Sequence, residues 1–294
     1  MNHHTYNRYH LGDNLIHLHF LRHLALRYPE HRFTHALKES YLGTLRESIE
    51  DVNNVSLIRL EDLHLHPDCR WINAWKNAGC ELGPDVPFTP GFWDTHPRQN
   101  DFSHFYLELF GILSRQMGLE SPFREPADLW FDYPKIRDSR NCERILSDVG
   151  GNQPDRPVFD FLVVNSVPLS NQLRAFRNNP NHLTTLIEEL AARYRVIVTS
   201  PLSGPPGDPP GPRVWCTQDY GLSLSDIGTL SLHCPYLLMI STGPSWPTFN
   251  VWNRDTVKLR VILLDVEQLN LGGNTVQTNT RESARAILVE HGLL

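Results

Sequence analysis

The sequence predicts an α/β protein with two domains, each built on a mostly parallel sheet. Strand-like and helix-like segments alternate along the chain, which is the pattern of parallel strands joined by crossover helices. The alternation is interrupted at 148–157, where Gly, Pro and Asp indicate a linker. With 294 residues, the chain is long enough for both domains. We therefore predict domains at 1–150 and 151–294 that face each other across a cleft.

In the first domain, apolar residues from Leu15 to Leu24 recur at helical spacing, and Pro29 ends the helix. The predicted strands are 6–9, 31–37 and 55–60, and the predicted helices are 14–28, 41–49 and 101–118. Residues 61–100 are rich in Pro, Trp, His and Asp and show no clear period. For these residues we predict long loops, of a kind that is often functional, with a helix near 69–79.

The second domain repeats the alternation after the linker. Its predicted strands are 158–165, 195–200, 236–241 and 257–265, and its predicted helices are 181–194, 224–234, one that begins at Gly243–Pro244, and 280–291. A loop dense in Gly and Pro occupies 203–212. The last helix is a candidate to pack back on the first domain.

Charge and cysteine content limit the function classes. The chain has 27 Lys and Arg against 33 Asp and Glu, so it lacks the basic excess of a general nucleic-acid binder. Its five cysteines contain no CxxC motif and indicate free thiols in a reducing compartment. No apolar run approaches the roughly 20 residues of a membrane span, and the N-terminus has no signal-peptide core. We predict a cytoplasmic protein without nucleic-acid partners, for which peripheral membrane contact stays open.

The first candidate site follows the first predicted strand at Leu11-Gly12-Asp13-Asn14. Gly12 permits a tight turn or a close approach of the backbone to a ligand. Asp13 would lie at the mouth of the cleft and act as a general base toward a hydroxyl group. The alternative is that Asp13 only caps the following helix, beside its positive end.

The second candidate site is the sequence STGPS, which follows the predicted strand 236–241. A helix that starts with small residues and Pro exposes backbone N–H groups, which bind a phosphate without Lys or Mg²⁺. An ordinary capped helix would show the same pattern. The predicted phosphate-binding residues are Thr242, Gly243, Pro244 and Ser245.

The third candidate site is the polar loop 165–170, after the first strand of the second domain. Hydroxyl and amide groups there would hold a diphosphate or a sugar, with a nearby arginine as the cation. The predicted binding residues are Ser166, Ser170 and Arg174. The alternative is an ordinary polar connection.

Several motifs are missing from the sequence. It contains no GxGxxG, GxxxxGK[ST] or GxSxG, so the dinucleotide, P-loop and common serine-hydrolase classes lose support. Two histidine pairs, His19 with His23 and His64 with His66, have spacing compatible with metal binding. Neither pair belongs to an HExxH motif or has a carboxylate or cysteine at ligand spacing, whereas a metal site needs three or four converging ligands. We predict no metal and no cofactor.

The order of these features resembles the ADP-heptose:lipopolysaccharide heptosyltransferase family, and GT-B glycosyltransferases more broadly. The matching segments are the loop 11–14 with its helix, 101–119 (DFSHFYLELFGILSRQMGL), the strand and polar loop 159–170, the helix and strand 181–200, and 224–245. In the last segment, Leu224-Ser225-Asp226 leads to the STGPS sequence. This order is similar to the family's helix, strand and TGP helix start.

The resemblance implies two Rossmann-like domains, with the acceptor on the first and a nucleotide-diphosphate sugar on the second. It implies that Asp13 takes the proton of the acceptor hydroxyl, with Gly12 and Asn14 on the acceptor side. The main-chain amides of 242–245 would hold the donor diphosphate and stabilise the leaving group. The reaction would be an inverting displacement without an essential metal, by which a hexosyl or heptosyl group reaches a glycan, lipid-linked or protein acceptor in polysaccharide biosynthesis.

Two other functions stay open. Ser241 and Trp246 stand where the family usually has Asp and His, and Gln172 or Arg174 where it has Lys. An altered donor loop is compatible with a nucleotide-sugar epimerase or hydrolase of the same fold. It is also compatible with a non-catalytic protein that binds nucleotides or glycans.

Overall fold

The computed structural model describes residues 1–66, 68–74, 101–150, 157–166, 183–202, 213–264 and 268–294. The chain divides into two compact units, Met1–Tyr133 and Pro134–Leu294. Each unit has its own sheet, and all strand pairs in both sheets are parallel. The predicted α/β class with two parallel-sheet units is confirmed. Among the described residues, no helix is both long and apolar enough to cross a bilayer.

The first unit contains a four-stranded sheet in the order β3-β2-β1-β4. Its strands are β1 (Asn2–Tyr6), β2 (Arg32–Leu37), β3 (Val55–Arg59) and β4 (Trp71–Asn73), and its helices are α1 (Leu11–Arg27), α2 (Glu39–Arg46) and α3 (Phe102–Gln116). The chain adds β2 and β3 on one side of β1, then returns to the other side for β4. Strand order therefore reverses between β1 and β4, and ligands of open α/β sheets bind at such a point.

Helix α1 is buried over most of its surface and forms the centre of the first unit. Leu18, Leu21 and Leu24 are fully excluded from solvent, and each such side chain stabilises the fold by about 1.5–3 kcal/mol. Phe20 stacks on Phe110 of α3, with ring centroids 4.3 Å apart. The helix starts at Leu11 with His10 as its N-cap, earlier than predicted. Asp13 is therefore the third helical residue, and its carboxylate takes part in a capping box with His10, the N-cap residue.

The two ends of α3 agree with the sequence prediction. The Asp101 side chain accepts a hydrogen bond from the His104 amide at 3.0 Å, as an N-cap does. Gly118 follows the helix in the left-handed region, with φ of +70°. The helix predicted near 69–79 is wrong in its described part, because residues 71–73 form β4 against β1. The rest of that prediction, 75–79, lies outside the described residues.

The second unit contains a six-stranded sheet in the order β10-β9-β8-β5-β6-β7. Its strands are β5 (Phe161–Val164), β6 (Val196–Val198), β7 (Val214–Cys216), β8 (Tyr236–Ile240), β9 (Leu259–Leu263) and β10 (Thr275–Thr278), and its helices are α4 (Arg140–Gly150), α5 (Thr184–Ala191), α6 (Leu224–Leu230) and α7 (Arg281–Glu290). Strand order reverses between β5 and β8. The edge strands β7 and β10 were not predicted, because they are short and carry little continuous apolar sequence.

The units divide at Tyr133–Pro134, earlier than the predicted boundary at 150/151. The reason is that α4 and the residues before it attach to α6. The Ser139 hydroxyl donates to the Asp226 carboxylate, and the Cys142 thiol donates to the Asp226 carbonyl at 3.0 Å. The last helix, α7, uses its apolar face within its own unit, where Ala284 and Leu288 belong to the core.

Candidate functional site

Asp13 lies in the first turn of α1, in the connection that follows the carboxyl end of β1. Its Oδ2 accepts a hydrogen bond from the His10 amide at 3.2 Å, and its Oδ1 accepts one from the Tyr106 hydroxyl at 3.2 Å. The residue is half-buried. An ionised carboxylate offers about four acceptor positions. The positive end of the helix stabilises this ionised form, which is the form a general base needs.

A network of buried polar side chains supports the start of helix α1. The Asn14 side chain donates to the His10 carbonyl at 2.9 Å and lies 3.1 Å from His35 Nε2. On its other side, His35 Nδ1 lies 2.9 Å from the Thr5 hydroxyl, which lies 3.2 Å from His17 Nε2. One assignment satisfies all three contacts: each Nε2–H donates, and the Thr5 hydroxyl donates to His35. Asn14 is completely buried and therefore supports the turn that carries Asp13 instead of facing an acceptor.

Burial keeps both histidines of this network neutral. It lowers the pKa of His17 to about 3 and the pKa of His35 well below its ordinary value, because a charged ring would lose its hydration. Sequence analysis assigned no role to either residue. The sequence offered one signal for this network: His17 lies on the buried face of α1, and His35 lies on the neighbouring strand β2.

In the second unit, two predicted binding segments meet where the strand order reverses. Ser166 follows β5 and Thr242 follows β8, and these strands are neighbours, with Val164 paired to Met239. Both residues are half-buried. The two segments are far apart in the chain, and the sheet brings them to the same edge. This is the edge at which open α/β sheets bind nucleotides.

A set of hydroxyl and amide groups extends this edge toward β6. The Asn165 side chain both accepts from the Ser200 amide and donates to the Ser200 carbonyl, each at 2.8 Å. The Ser166 hydroxyl lies 3.1 Å from the Thr199 hydroxyl. Thr199 and Ser200 were missed by sequence analysis, although β6 ends in hydroxylated residues just as β8 does. Ser170 and Arg174, together with Gln172, lie outside the described residues.

The STGPS segment does not open an α-helix. Gly243–Thr248 is a six-residue 3-10 turn with Pro247 inside it. The Thr242 amide donates to Ser245 Oγ at 3.2 Å, and the Ser245 amide donates to the Thr242 carbonyl at 3.0 Å. Two of the three amides expected to bind a diphosphate are therefore used within the turn. Gly243 and Pro244 remain half-buried, whereas Ser245 is completely buried.

The fold of the first unit gives His19 and His23 a carboxylate partner. No carboxylate lies at ligand spacing from this pair in the sequence, but Asp132, at the end of the unit, lies close to both side chains. Asp132 Oδ1 lies 2.9 Å from His23 Nε2. This partner could not be found from local spacing, because it lies 109 positions along the chain from His23.

Two parallel-sheet units of this kind, covering the whole chain, define the GT-B glycosyltransferase fold. Solved structures share it with this chain at 12% identity. They include a glycosyl transferase of family 9 from Veillonella parvula (99% of this chain and 89% of that chain, TM-score 0.59). They also include the E. coli heptosyltransferase WaaC with ADP-2-deoxy-2-fluoro heptose (99% and 100%, TM-score 0.57) and E. coli ADP-heptose lps heptosyltransferase II (99% and 100%, TM-score 0.55). No protein-family model and no curated protein matches the sequence.

Proposed function

We propose that the protein is a glycosyltransferase that moves a sugar from a nucleotide-diphosphate sugar to a hydroxyl acceptor. The observation that carries this proposal is the fold, which the chain shares over 99% of its length with three glycosyltransferases. One of these structures holds an ADP-heptose analogue. We therefore propose a donor of the hexosyl or heptosyl type and a glycan, lipid-linked or protein acceptor.

In this proposal Asp13 is the general base. It takes the proton of the acceptor hydroxyl, whose oxygen attacks the anomeric carbon while the bond from that carbon to the diphosphate breaks. Attack from the side opposite the leaving group inverts the anomeric configuration. His10 and Tyr106, through their hydrogen bonds to the two carboxylate oxygens, would fix the direction of the base.

The donor diphosphate would bind where strand order reverses between β5 and β8. The Ser166 hydroxyl and the Gly243 amide are the candidate donors there, and Ser170 and Arg174 are proposed to complete the site. Hydrogen bonds of this kind stabilise the negative charge that develops on the departing diphosphate. The proposal assigns no metal ion to the donor, so omission or addition of Mg²⁺ or Mn²⁺ should leave the rate unchanged.

The first experiment identifies the donor class. ADP-heptose, and then ADP-, UDP-, GDP- and dTDP-hexoses, are incubated with the purified full-length chain, with and without heptose-deficient lipopolysaccharide as acceptor. Acceptor-dependent release of nucleoside diphosphate, with an inverted anomeric product by NMR, supports the proposal. Release without acceptor would instead support an epimerase or hydrolase, and binding without turnover would support a non-catalytic protein. Absence of binding to every nucleotide contradicts the glycosyltransferase and the epimerase or hydrolase, and leaves only a protein that binds glycans.

The second experiment tests Asp13. Asp13→Asn keeps a side-chain oxygen that can accept from His10 and Tyr106, but it removes the base. We expect the transfer rate to fall by about 10²–10⁴-fold while nucleoside diphosphate binding is unchanged. The matched control is Asp128→Asn, since Asp128 also accepts hydrogen bonds from amides at the start of a helical turn, at 2.7 and 2.9 Å. Equal activity in Asp13→Asn and the control would remove Asp13 from its role.

A further inference from the structure

We infer that His19, His23 and Asp132 form a binding site for a divalent transition-metal ion such as Zn²⁺. One ligand atom from each residue lies within 4.8 Å of the other two. The two histidines are one turn apart on the same face of α1, and Asp132 belongs to the segment that ends the first unit. This inference does not rest on the proposed function.

The distances suit a tetrahedral ion. With metal–ligand bonds of about 2.0–2.1 Å, neighbouring ligand atoms lie about 3.3 Å apart. Asp132 Oδ1 lies 3.7 Å from His19 Nδ1 and 2.9 Å from His23 Nε2, so the two distances bracket that value. Two of the three ligand–ligand distances are therefore close to those of a tetrahedral site, and the third is within 4.8 Å.

His19 already has the arrangement of a metal ligand. Its ring is completely buried, and its Nε2 lies 3.3 Å from the Asp128 carbonyl, which can only accept a hydrogen bond. The proton therefore sits on Nε2, and Nδ1 presents its lone pair toward Asp132. Among the described residues, Nδ1 has no hydrogen-bond partner. A backbone carbonyl that accepts a hydrogen bond from the other ring nitrogen, and so fixes the tautomer, is the usual support of a metal-binding histidine.

Arg22 lies beside the site and does not exclude an ion. Its Nη1 donates to Asp132 Oδ1 at 2.6 Å, while its Nε and Nη2 donate to the Asp51 carboxylate at 2.7–3.0 Å. Asp51 therefore balances the guanidinium charge, and Asp132 contributes a net negative charge. Ligating carboxylates usually carry such a hydrogen bond from a neighbouring side chain.

The ligand set selects the class of ion. Two imidazoles with one carboxylate suit Zn²⁺ and neighbouring transition metals, whereas Mg²⁺ and Ca²⁺ prefer oxygen ligands throughout. His23 and Asp132 are each partly exposed, so a water molecule can reach the fourth position.

The ion would lie apart from the proposed base. His19 lies six residues after Asp13 on α1, about 9 Å along the helix axis. An ion here would fasten the end of the first unit to α1, away from the proposed base.

The experiment uses the full-length chain, freed of metal with a chelator and titrated with Co²⁺, whose visible absorption reports four-coordinate binding. Zn²⁺ and Mg²⁺ are then tested as competitors. We expect one Co²⁺ to bind at this site and to be displaced by Zn²⁺ but not by Mg²⁺. His23→Ala, at a partly exposed position that tolerates truncation, should lose one equivalent of ion or bind it at least tenfold more weakly. Circular dichroism checks that the variant is folded.

The matched control is His104→Ala. His104 also faces a carboxylate, with Nδ1 3.1 Å from Asp101 Oδ2, but it is exposed and belongs to no described three-ligand group. This variant should bind Co²⁺ as the unmodified chain does. If the unmodified chain binds no Co²⁺ at micromolar concentration, or if His23→Ala binds it with unchanged stoichiometry and affinity, the inference is overturned.

Discussion

The hydroxyl of Tyr106 connects the carboxylate of Asp13 to helix α3. It donates to Oδ1 at 3.2 Å, while the backbone of His10 donates to Oδ2. The two contacts hold the carboxylate in one direction, and the hydroxyl also stabilises its ionised form. Tyr106 is a positioning residue in the proposed reaction, because it acts through Asp13 and not on the substrate.

We expect Tyr106→Phe to lower the transfer rate about tenfold, the effect of one hydrogen bond to a charged group. Loss of the donor destabilises the ionised carboxylate, so the acidic limb of the rate–pH profile should move to higher pH. Tyr41→Phe is the control. Burial, with a smaller contribution from the nearby Asp13 charge, raises the pKa of Tyr41, so this tyrosine also lies near Asp13. The steady-state transfer rate of both variants, measured as a function of pH, tests this prediction. Equal shifts in both variants would argue against a specific role of Tyr106.

At the scale of elements, helix α6 and the 3-10 turn at 243–248 touch at Gly228. A Cβ atom added there would lie 3.0 Å from the Pro247 carbonyl oxygen and 3.1 Å from Ile136 Cγ1. The backbone of the turn cannot move aside as a flexible side chain can. Because Gly228 has no side chain, α6 can pack closely against the turn that begins after Thr242.

The substitution Gly228→Ala should destabilise the second unit by about 1–3 kcal/mol, as overpacking does, although alanine is the better helix former. Gly43→Ala in α2 is the matched control, because a Cβ there meets nothing within 4 Å. That variant should gain about 0.5–1 kcal/mol. Urea unfolding of both variants measures whether each substitution raises or lowers the free energy of unfolding. A stabilised Gly228→Ala would mean that the contact is looser than the structure shows.

Sequence analysis succeeded where a segment carries its own signals. Asp101 and Gly118 bound α3 because a cap and a left-handed glycine are local features of the chain. It failed where a distant partner decides. Trp71 begins a strand because β1 offers hydrogen bonds. Asp132 also comes close to His19 only in the folded chain, so local sequence could not predict this contact.

At the scale of the whole molecule, the buried histidines are concentrated in the first unit. Burial, with smaller contributions from neighbouring positive groups, lowers the pKa of His3 to about 4. Burial also lowers the pKa of His17 and His19 to about 3, and it lowers the pKa of His35 well below its ordinary value. The unfolded chain binds these protons near pH 6.5, whereas the folded chain does not. Stability is therefore present above pH 6.5 and is lost as the pH falls toward 3.

For the metal-free protein, a change from pH 7.5 to pH 5 should cost about 2 kcal/mol for each of His17 and His19. Hydrogen exchange at both pH values, corrected for the intrinsic rate, measures this in the amides of β1 and α1. The amides of β8 and β9 serve as the internal reference and should change much less. His104→Gln, at an exposed position, should leave the difference unchanged. Equal losses in both units would contradict the assignment to buried histidines.

The attachment of α4 to the second unit has a practical consequence for anyone who expresses the halves separately. Asp226 is almost completely buried and accepts hydrogen bonds from the Ser139 hydroxyl and from the Asn141 side chain at 3.2 Å. A fragment that starts at residue 151 would leave this carboxylate inside the protein without two of its donors. Cutting between Tyr133 and Pro134 keeps them together, and it leaves Asp132 on the fragment that carries His19 and His23.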